Sequence, residues 1–490
     1  MTTSLIPPFM RWLCRRALHW CYREVHFAGR EAIPTSGAVF LFGNHANDVP
    51  DVIAGLFTTR RQVRYVATVS ATLLPLASAT YRGMGVIPVM RVRDVRKMRA
   101  RGMDVAAVNA SAFDAVTAAF RAGDVVGIFP EGGVHDTSHV GRPKSGVAKM
   151  ALSILDDDSI KDLILVPFGV QYEAPRTTRS DLLVQVGAAW SLRQWAASTP
   201  DPSPAALSSA LHDALHAVTR NNSSWPSAES RDLLIAPLAA LLATAGQPLL
   251  ETAAAVQHRC SLLVEGRDPS QRGDEHPEIH AASHAASHAA SHAASHAPAH
   301  GEHGHHRGVS WRSIAGPLND AVRRAGGIDT SARDTARVLD AAGVANAQAA
   351  WPSSVWLVVA AVPAVVGLAV HAPLWVLVRW MARKTAEVRT DLMAKTILPG
   401  LHLIFLGYLV LGGLCALGFR AAAVSAWWAL PVLVLLPRLG DLGLSWRDGV
   451  RARCLRARVR RWSAADRASL ATTASAVRSA WAALSSLSTP

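Results

Sequence analysis

Between about residues 36 and 190, short apolar runs alternate with longer stretches of helical periodicity. The runs are AVFLF (38–42), VRYVAT (63–68), VIPVM (86–90), VVGIF (125–129), LILVPFGV (163–170) and LLVQVG (182–187). Between them lie stretches such as VNASAFDAVTAAFRAG and GVAKMALSIL. Apolar strands separated by helices predict an α/β sheet flanked by helices on both faces. Residues 200–260 read as further helices rich in Ala and Leu.

The segments on either side of this region follow other patterns. At the N-terminus, Leu13, Leu18, Trp20 and Cys21 can share a helical face opposite Arg11, Arg15 and Arg16. This predicts an amphipathic membrane-surface helix over residues 1–30, or else a helix packed on its own domain. The same arginines break the apolar stretch, so it does not read as a signal peptide. From His280 to His300 a histidine recurs at every fourth position, six in all. In a helix each step of four would turn by about 40°, so the six could not form one ligand face. The repeat reads as a disordered linker, with metal storage as the alternative.

Past residue 354 the chain becomes apolar. The segment 355–378 is long enough to cross a membrane but contains Pro363, Gly367, His371 and Pro373; 397–419 and 421–437 follow it. Arg379, Arg383, Lys384, Arg389 and Lys395 come after the first segment, and a run of arginines from Arg438 to Arg461 after the last. Basic loops stay in the cytoplasm. The expected arrangement is therefore a re-entrant hairpin at 355–378 and a helical hairpin at 397–437. The chain divides into the surface helix (1–30), the α/β domain (31–265), a His-rich linker (266–310) and a helical connector (311–350). A hydrophobic membrane region (351–440) and a basic helical tail (441–490) complete it.

Composition narrows the function. Half of the 490 residues are hydrophobic and only 18% are charged, which is apolar for a soluble enzyme. The net charge of +14 favours anionic partners: an anionic membrane face or phosphorylated substrates. No zinc-finger spacing, RNA-binding signature or basic-aromatic stripe points to nucleic acid. The five cysteines are odd in number and form no C-x-x-C pair, which suits a reducing compartment rather than a disulfide framework or zinc site.

Two strand ends carry the candidate chemistry. AVFLF runs into FGNHANDVPD, with His45 and, downstream, Asp48 and Asp51; VVGIF runs into PEGGVHD, with Glu131, Gly132 and Gly133. Ligands of a covered α/β sheet bind at the carboxyl ends of its strands, so neighbouring strands would bring these residues together. Glycines there let backbone amides approach a ligand, and Arg82, Arg91, Arg93 and Lys144 would supply a positive lining for a phosphate. No G-x-S-x-G elbow and no cysteine provides a protein nucleophile, and no P-loop or kinase signature is present. A histidine base without a protein nucleophile implies that a substrate hydroxyl attacks, and acyl transfer is preferred to phosphoryl transfer.

The segments NHANDVPD, GMGVIPVMR, FPEGG (129–133) and LVPFGVQY (165–172), in this order, resemble the four motifs of the glycerolipid acyltransferase superfamily. The commoner family spacing would put the carboxylate at Pro50. The H-x-N-x-x-x-D spacing here, with FPEGGVHD and RPKSGVAKMAL, is similar to the branch that acylates glycerol 3-phosphate or dihydroxyacetone phosphate. That resemblance implies a glycerophosphate acyltransferase-like fold with His45 as general base and Asp51 as its partner; Asp48 would instead cap the following helix. It implies that Glu131, Gly132 and Gly133 shape the acceptor site and that Arg91 and Lys144 hold the phosphate. It further implies acyl-CoA or acyl carrier protein as donor, no cofactor or metal, and a cell membrane location with the catalytic domain in the cytoplasm. Lysophosphatidate as acceptor, or a non-catalytic membrane scaffold with a metal-binding repeat, are the competing readings.

Overall fold

The computed structural model describes residues 6–68, 85–90, 94–134, 139–174, 177–219 and 311–486 except 326–331, 345–350 and 387–390, with scattered positions between 220 and 310. The first part runs α1 (Ile6–Cys21), β1 (Tyr22–Ala28), β2 (Ala38–Gly43), α2 (Val49–Leu56), β3 (Val63–Thr68), β4 (Ile87–Val89), α3 (Val95–Arg99), α4 (Val105–Arg121) and β5 (Val125–Ile128). It continues with α5 (Ser145–Leu152), β6 (Leu163–Tyr172), β7 (Ser180–Val186), β8 (Trp190–Ser191), α6 (Leu192–Ser198) and α7 (Pro204–Val218). The later part comprises α8 (Trp311–Arg324), α9 (Ala332–Ala341), α10 (Ser354–Val359), α11 (Ala361–Thr385), α12 (Asp391–Ala421), α13 (Ala429–Arg460) and α14 (Ala464–Ser486). The His280–His300 repeat lies outside the described residues.

The strands form one mixed eight-stranded sheet in the order β1-β7-β6-β2-β5-β3-β4, with β8 beside β6. β6, β2, β5, β3 and β4 are mutually parallel, whereas β7 and β8 run antiparallel to β6. Successive strand side chains point to opposite faces. Val39 and Leu41 of β2 accordingly enter a core with Ile53, Ala54 and Leu56 of α2 and Ala17 and Leu18 of α1. Ala38, Phe40 and Phe42 enter a second core with α4, α5 and α7 through Val116, Phe120, Ala148 and Leu211. Strands buried on both faces read as unbroken apolar runs, which is why the pattern exposed them.

The structure divides into two compact units, residues 1–221 with 373–414 and residues 222–372 with 415–490. These cut across the domain boundaries expected from the sequence. In the first unit, Met393 and Ile397 of α12 belong to the core that holds α1, and Trp375 of α11 packs against it. The expected surface helix over 1–30 is also corrected. The helix ends at Cys21, and residues 22–28 form edge strand β1, parallel to β7. In the second unit Leu318, Val322, Leu339, Leu455 and Leu470 bring α8, α9, α13 and α14 together.

Among the described residues, three helices are long and apolar enough to cross a membrane: Ala361–Thr385, Lys395–Ala421 and Ala426–Arg460. Each exposes large apolar side chains, among them Val362, Leu409, Trp427 and Val434, which need a covering phase. The re-entrant hairpin expected at 355–378 is not found, because α11 runs unbroken through Pro373. Proline removes one helix hydrogen bond, yet the helix continues past it to Thr385. A Cβ on Gly367 would come within 2.0 Å of the Leu439 carbonyl oxygen of α13, so only glycine permits this approach. Over 397–437, where a helical hairpin is expected, the structure has α12 and the start of α13 with residues 422–428 between them.

Candidate active site

β2 and β5 are parallel neighbours, with Phe42 opposite Ile128. The two motif-bearing turns therefore leave the same edge of the sheet side by side. Asn44, buried, continues the ladder with its side chain: its amide accepts from Val170 N at 2.7 Å and donates to Val170 O at 3.3 Å. This fixes the turn on β6 one residue before His45.

His45 Nδ1 lies 3.1 Å from Asp51 Oδ2. α2 begins at Val49, so Asp51 falls in its first turn and is fully buried. Oδ2 also accepts the Asn47 backbone N–H at 2.7 Å. Asp48 Oδ1 is 4.0 Å from His45 Nε2, on the other side of the ring. Asp48 occupies the N-cap position of α2 at φ 53° and its side chain makes no cap hydrogen bond, contrary to the capping role expected of it. The imidazole stacks on Phe129 with centroids 4.2 Å apart and planes at 14°. Phe129 stacks in turn on Tyr65. With Asp51 ionised, Nδ1–H donates to it and Nε2 is the basic nitrogen.

Glu131 is buried and its two oxygens accept backbone amides, His45 N at 2.7 Å and Gly141 N at 2.5 Å. The carboxylate thus braces the His45 turn to the loop before α5. Gly132 has φ +77°, a conformation glycine adopts at no steric cost. A Cβ there would lie 3.0 Å from Lys144 Cγ, so the Lys144 stem rests on the Gly132–Gly133 turn. Lys144 N donates to Pro130 O at 2.8 Å and so ties the start of α5 to the same turn. His45, Asp51, Glu131, Gly132, Gly133 and Lys144 are thereby linked through β2, α2, β5 and α5. Arg91, with Arg82 and Arg93, lies outside the described residues.

The sequence reading did not single out the residues behind Asp51. Tyr172, the last residue of β6, donates its hydroxyl to Asp51 Oδ1. Burial, and then the neighbouring Asp51, push this phenol well above its ordinary pKa, so it remains a donor at neutral pH. Tyr22 of β1 packs on Tyr172 with centroids 5.6 Å apart and accepts from Asn47 Nδ2 at 3.3 Å. Tyr172 is part of the fourth motif, and its place at a strand end was the available signal. Tyr172→Phe removes a hydrogen bond to a charged group, a contribution of about 1.5–3 kcal/mol. We expect kcat to fall at least about tenfold with KM little changed, and the melting temperature to drop by about 2–4 °C per kcal/mol lost. An unchanged kcat would remove Tyr172 from the positioning of Asp51.

Residues 24–171 match the acyltransferase family model. The chain is similar to glycerol-3-phosphate O-acyltransferase 1 of Saccharomyces cerevisiae, 42% identical over 62 residues, which is 13% of this chain and 8% of the yeast protein. Among solved structures, the 1-acyl-sn-glycerophosphate (LPA) acyltransferase PlsC from Thermotoga maritima aligns with a TM-score of 0.30 and 14% identity, covering 42% of this chain and 76% of that chain. The family match covers under a third of the chain, residues 24–171, and supports an acyltransferase domain there.

Proposed function

We propose that the protein moves a fatty acyl group from an acyl thioester to the hydroxyl of glycerol 3-phosphate, or of dihydroxyacetone phosphate, as a step of phospholipid biosynthesis. The observation that carries this reading is the 3.1 Å pairing of His45 Nδ1 with buried Asp51 at the carboxyl end of β2. His45 Nε2 takes the proton of the acceptor hydroxyl while Asp51 stabilises the resulting imidazolium. The alkoxide attacks the thioester carbonyl, the C–O bond forms, the C–S bond breaks, and the departing thiolate receives the proton from Nε2. Arg91 and Lys144 hold the acceptor phosphate. The donor is acyl-CoA or acyl carrier protein, and the transfer uses neither metal nor cofactor. The H-x-N-x-x-x-D spacing, the FPEGGVHD segment and the likeness to the yeast enzyme favour glycerol 3-phosphate over lysophosphatidate.

The test is a competition between labelled glycerol 3-phosphate and lysophosphatidate on the purified protein in detergent, with each donor supplied. The expected result is acylated glycerol 3-phosphate as the main product. Label confined to the lysophosphatidate product would overturn the acceptor assignment. No transfer to either acceptor by well-folded protein would support the scaffold reading.

We place the protein at the cell membrane, with the catalytic domain in the cytoplasm beside the soluble acyl carriers. Trp375, Met393 and Ile397 share the catalytic domain's core, which supports placing Ala386, just past the end of α11, on that domain's side. Single cysteines at Ala386 and Ser198, in a background without native cysteines, should both resist a membrane-impermeant thiol reagent in intact cells. Labelling of one alone would separate the two sides.

A further inference from the structure

A second cleft lies at the far end of α2 from Asp51, where the helix gives way to the start of β3. Its volume is about 430 Å³, and Arg11, Arg15 and Arg60 line it with no acidic residue among the lining side chains. Arg11 closes the C-terminal end of α2, its Nη1 donating to Leu56 O at 2.9 Å and Nη2 to Thr59 O at 3.0 Å. The Arg11 and Arg15 guanidinium carbons lie 5.2 and 5.4 Å from the centroid of one ring, Phe57. Two cations on a single ring, with a third on the rim, leave the cleft with positive charge that its own walls do not balance.

Apart from Gln62, the remaining walls are apolar. Pro8, Trp12, Leu56 and Val63 face the same space. Trp12 is 48% exposed and Phe9 beside it 47%, their rings stacked at 6.0 Å. Exposed aromatics next to arginines are the pattern of a membrane–water interface. The inner side of α1 carries Ala17, Leu18 and Cys21 into the core shared with Trp375, Met393 and Ile397. Those three residues belong to α11 and α12, helices long enough to cross a membrane, so α1 sits where such helices meet the catalytic domain.

We propose that this cleft binds one anionic phospholipid of the bilayer, its headgroup phosphate on Arg15 and Arg60 and its upper acyl chain against Pro8, Trp12 and Phe57. The site is separate from the catalytic centre, since His45 and Asp51 stand at the opposite end of α2. It holds a lipid in place and takes no part in acyl transfer.

The test uses the full chain in nanodiscs of phosphatidylcholine doped with phosphatidylglycerol, followed by native mass spectrometry of the released protein. Wild type should retain one phosphatidylglycerol, whereas the double variant Arg15→Gln/Arg60→Gln should bind it about thirtyfold more weakly, at about 1 kcal/mol per arginine. Both arginines are exposed, so the variant should keep its fold, and circular dichroism checks this. Trp12→Ala gives a second variant, expected to weaken retention through the apolar wall alone. Equal retention by wild type and the double variant would overturn the proposal. So would displacement of the lipid by inorganic phosphate or coenzyme A, which would make the cleft a soluble phosphate site.

Discussion

Replacing His45 with alanine should lower acyl transfer by roughly 10² to 10⁴-fold, the usual contribution of a positioned general base. The loss should fall on kcat, since the side chain meets the acceptor only through the proton it removes. The fold should survive. His45 holds the loop through its backbone N–H, which donates to Glu131, and the preceding Asn44 is bonded to Val170, so neither anchor depends on the imidazole. Phe129 would lose one stacking neighbour and keep Tyr65. Activity within about threefold of wild type would show that the acceptor hydroxyl loses its proton elsewhere.

Asp51→Asn should reduce transfer by roughly 10²-fold or more, while Asp48→Asn should stay within about threefold of wild type. The contrast follows from which ring nitrogen each carboxylate faces. With its amide oxygen at the Oδ2 position, the side chain introduced by Asp51→Asn would still accept from the Asn47 N–H, but its NH₂ would face the Tyr172 hydroxyl, which would then have to accept, and it would carry no charge to stabilise an imidazolium. Turned the other way, its NH₂ would donate to Nδ1, forcing the proton onto Nε2 and leaving no lone pair for the acceptor hydroxyl. Asp48 is half-exposed and 4.0 Å from Nε2, beyond hydrogen-bond reach. A larger effect at position 48 would mean that the wrong carboxylate has been paired with His45.

Much of the catalytic domain was legible because its strands are covered on both sides. β2, β5 and β6 read as apolar runs, and the turns at their ends stood out as polar interruptions. The choice of Asp51 over Asp48 followed from motif spacing, and the start of α2 at Val49 gives its physical basis: two residues into a helix, a side chain can turn back toward the preceding loop. β1 was not legible. Its sequence, YREVHFA, mixes charged and apolar residues because it is an edge strand with most side chains only partly covered, and it follows directly on a helix of similar composition. Tyr172, although inside a motif, gave no sign of its partner, for a different reason. It stands 121 residues from Asp51, and nothing local says that β6 will lie beside β2. Pro373 misled in the opposite direction, since it suggests a bend in an isolated segment, yet α11 runs on past it to Thr385.

The contribution of Met393 and Ile397 to the core beneath α1 has a consequence for how this protein is made. The sheet leaves the ribosome first, yet the residues that complete one face of its core are synthesised after the histidine repeat and the connector helices. At about 5–20 residues per second, that face waits many seconds for its cover. In the interval an apolar surface on α1 is open to chaperones, to the bilayer or to another nascent chain. A gene fragment ending near residue 260, the obvious choice for expressing the catalytic domain alone, would make the wait permanent and yield a sticky product. A fragment that instead joins residues 1–221 to 373–414 would keep the cover with the domain it closes.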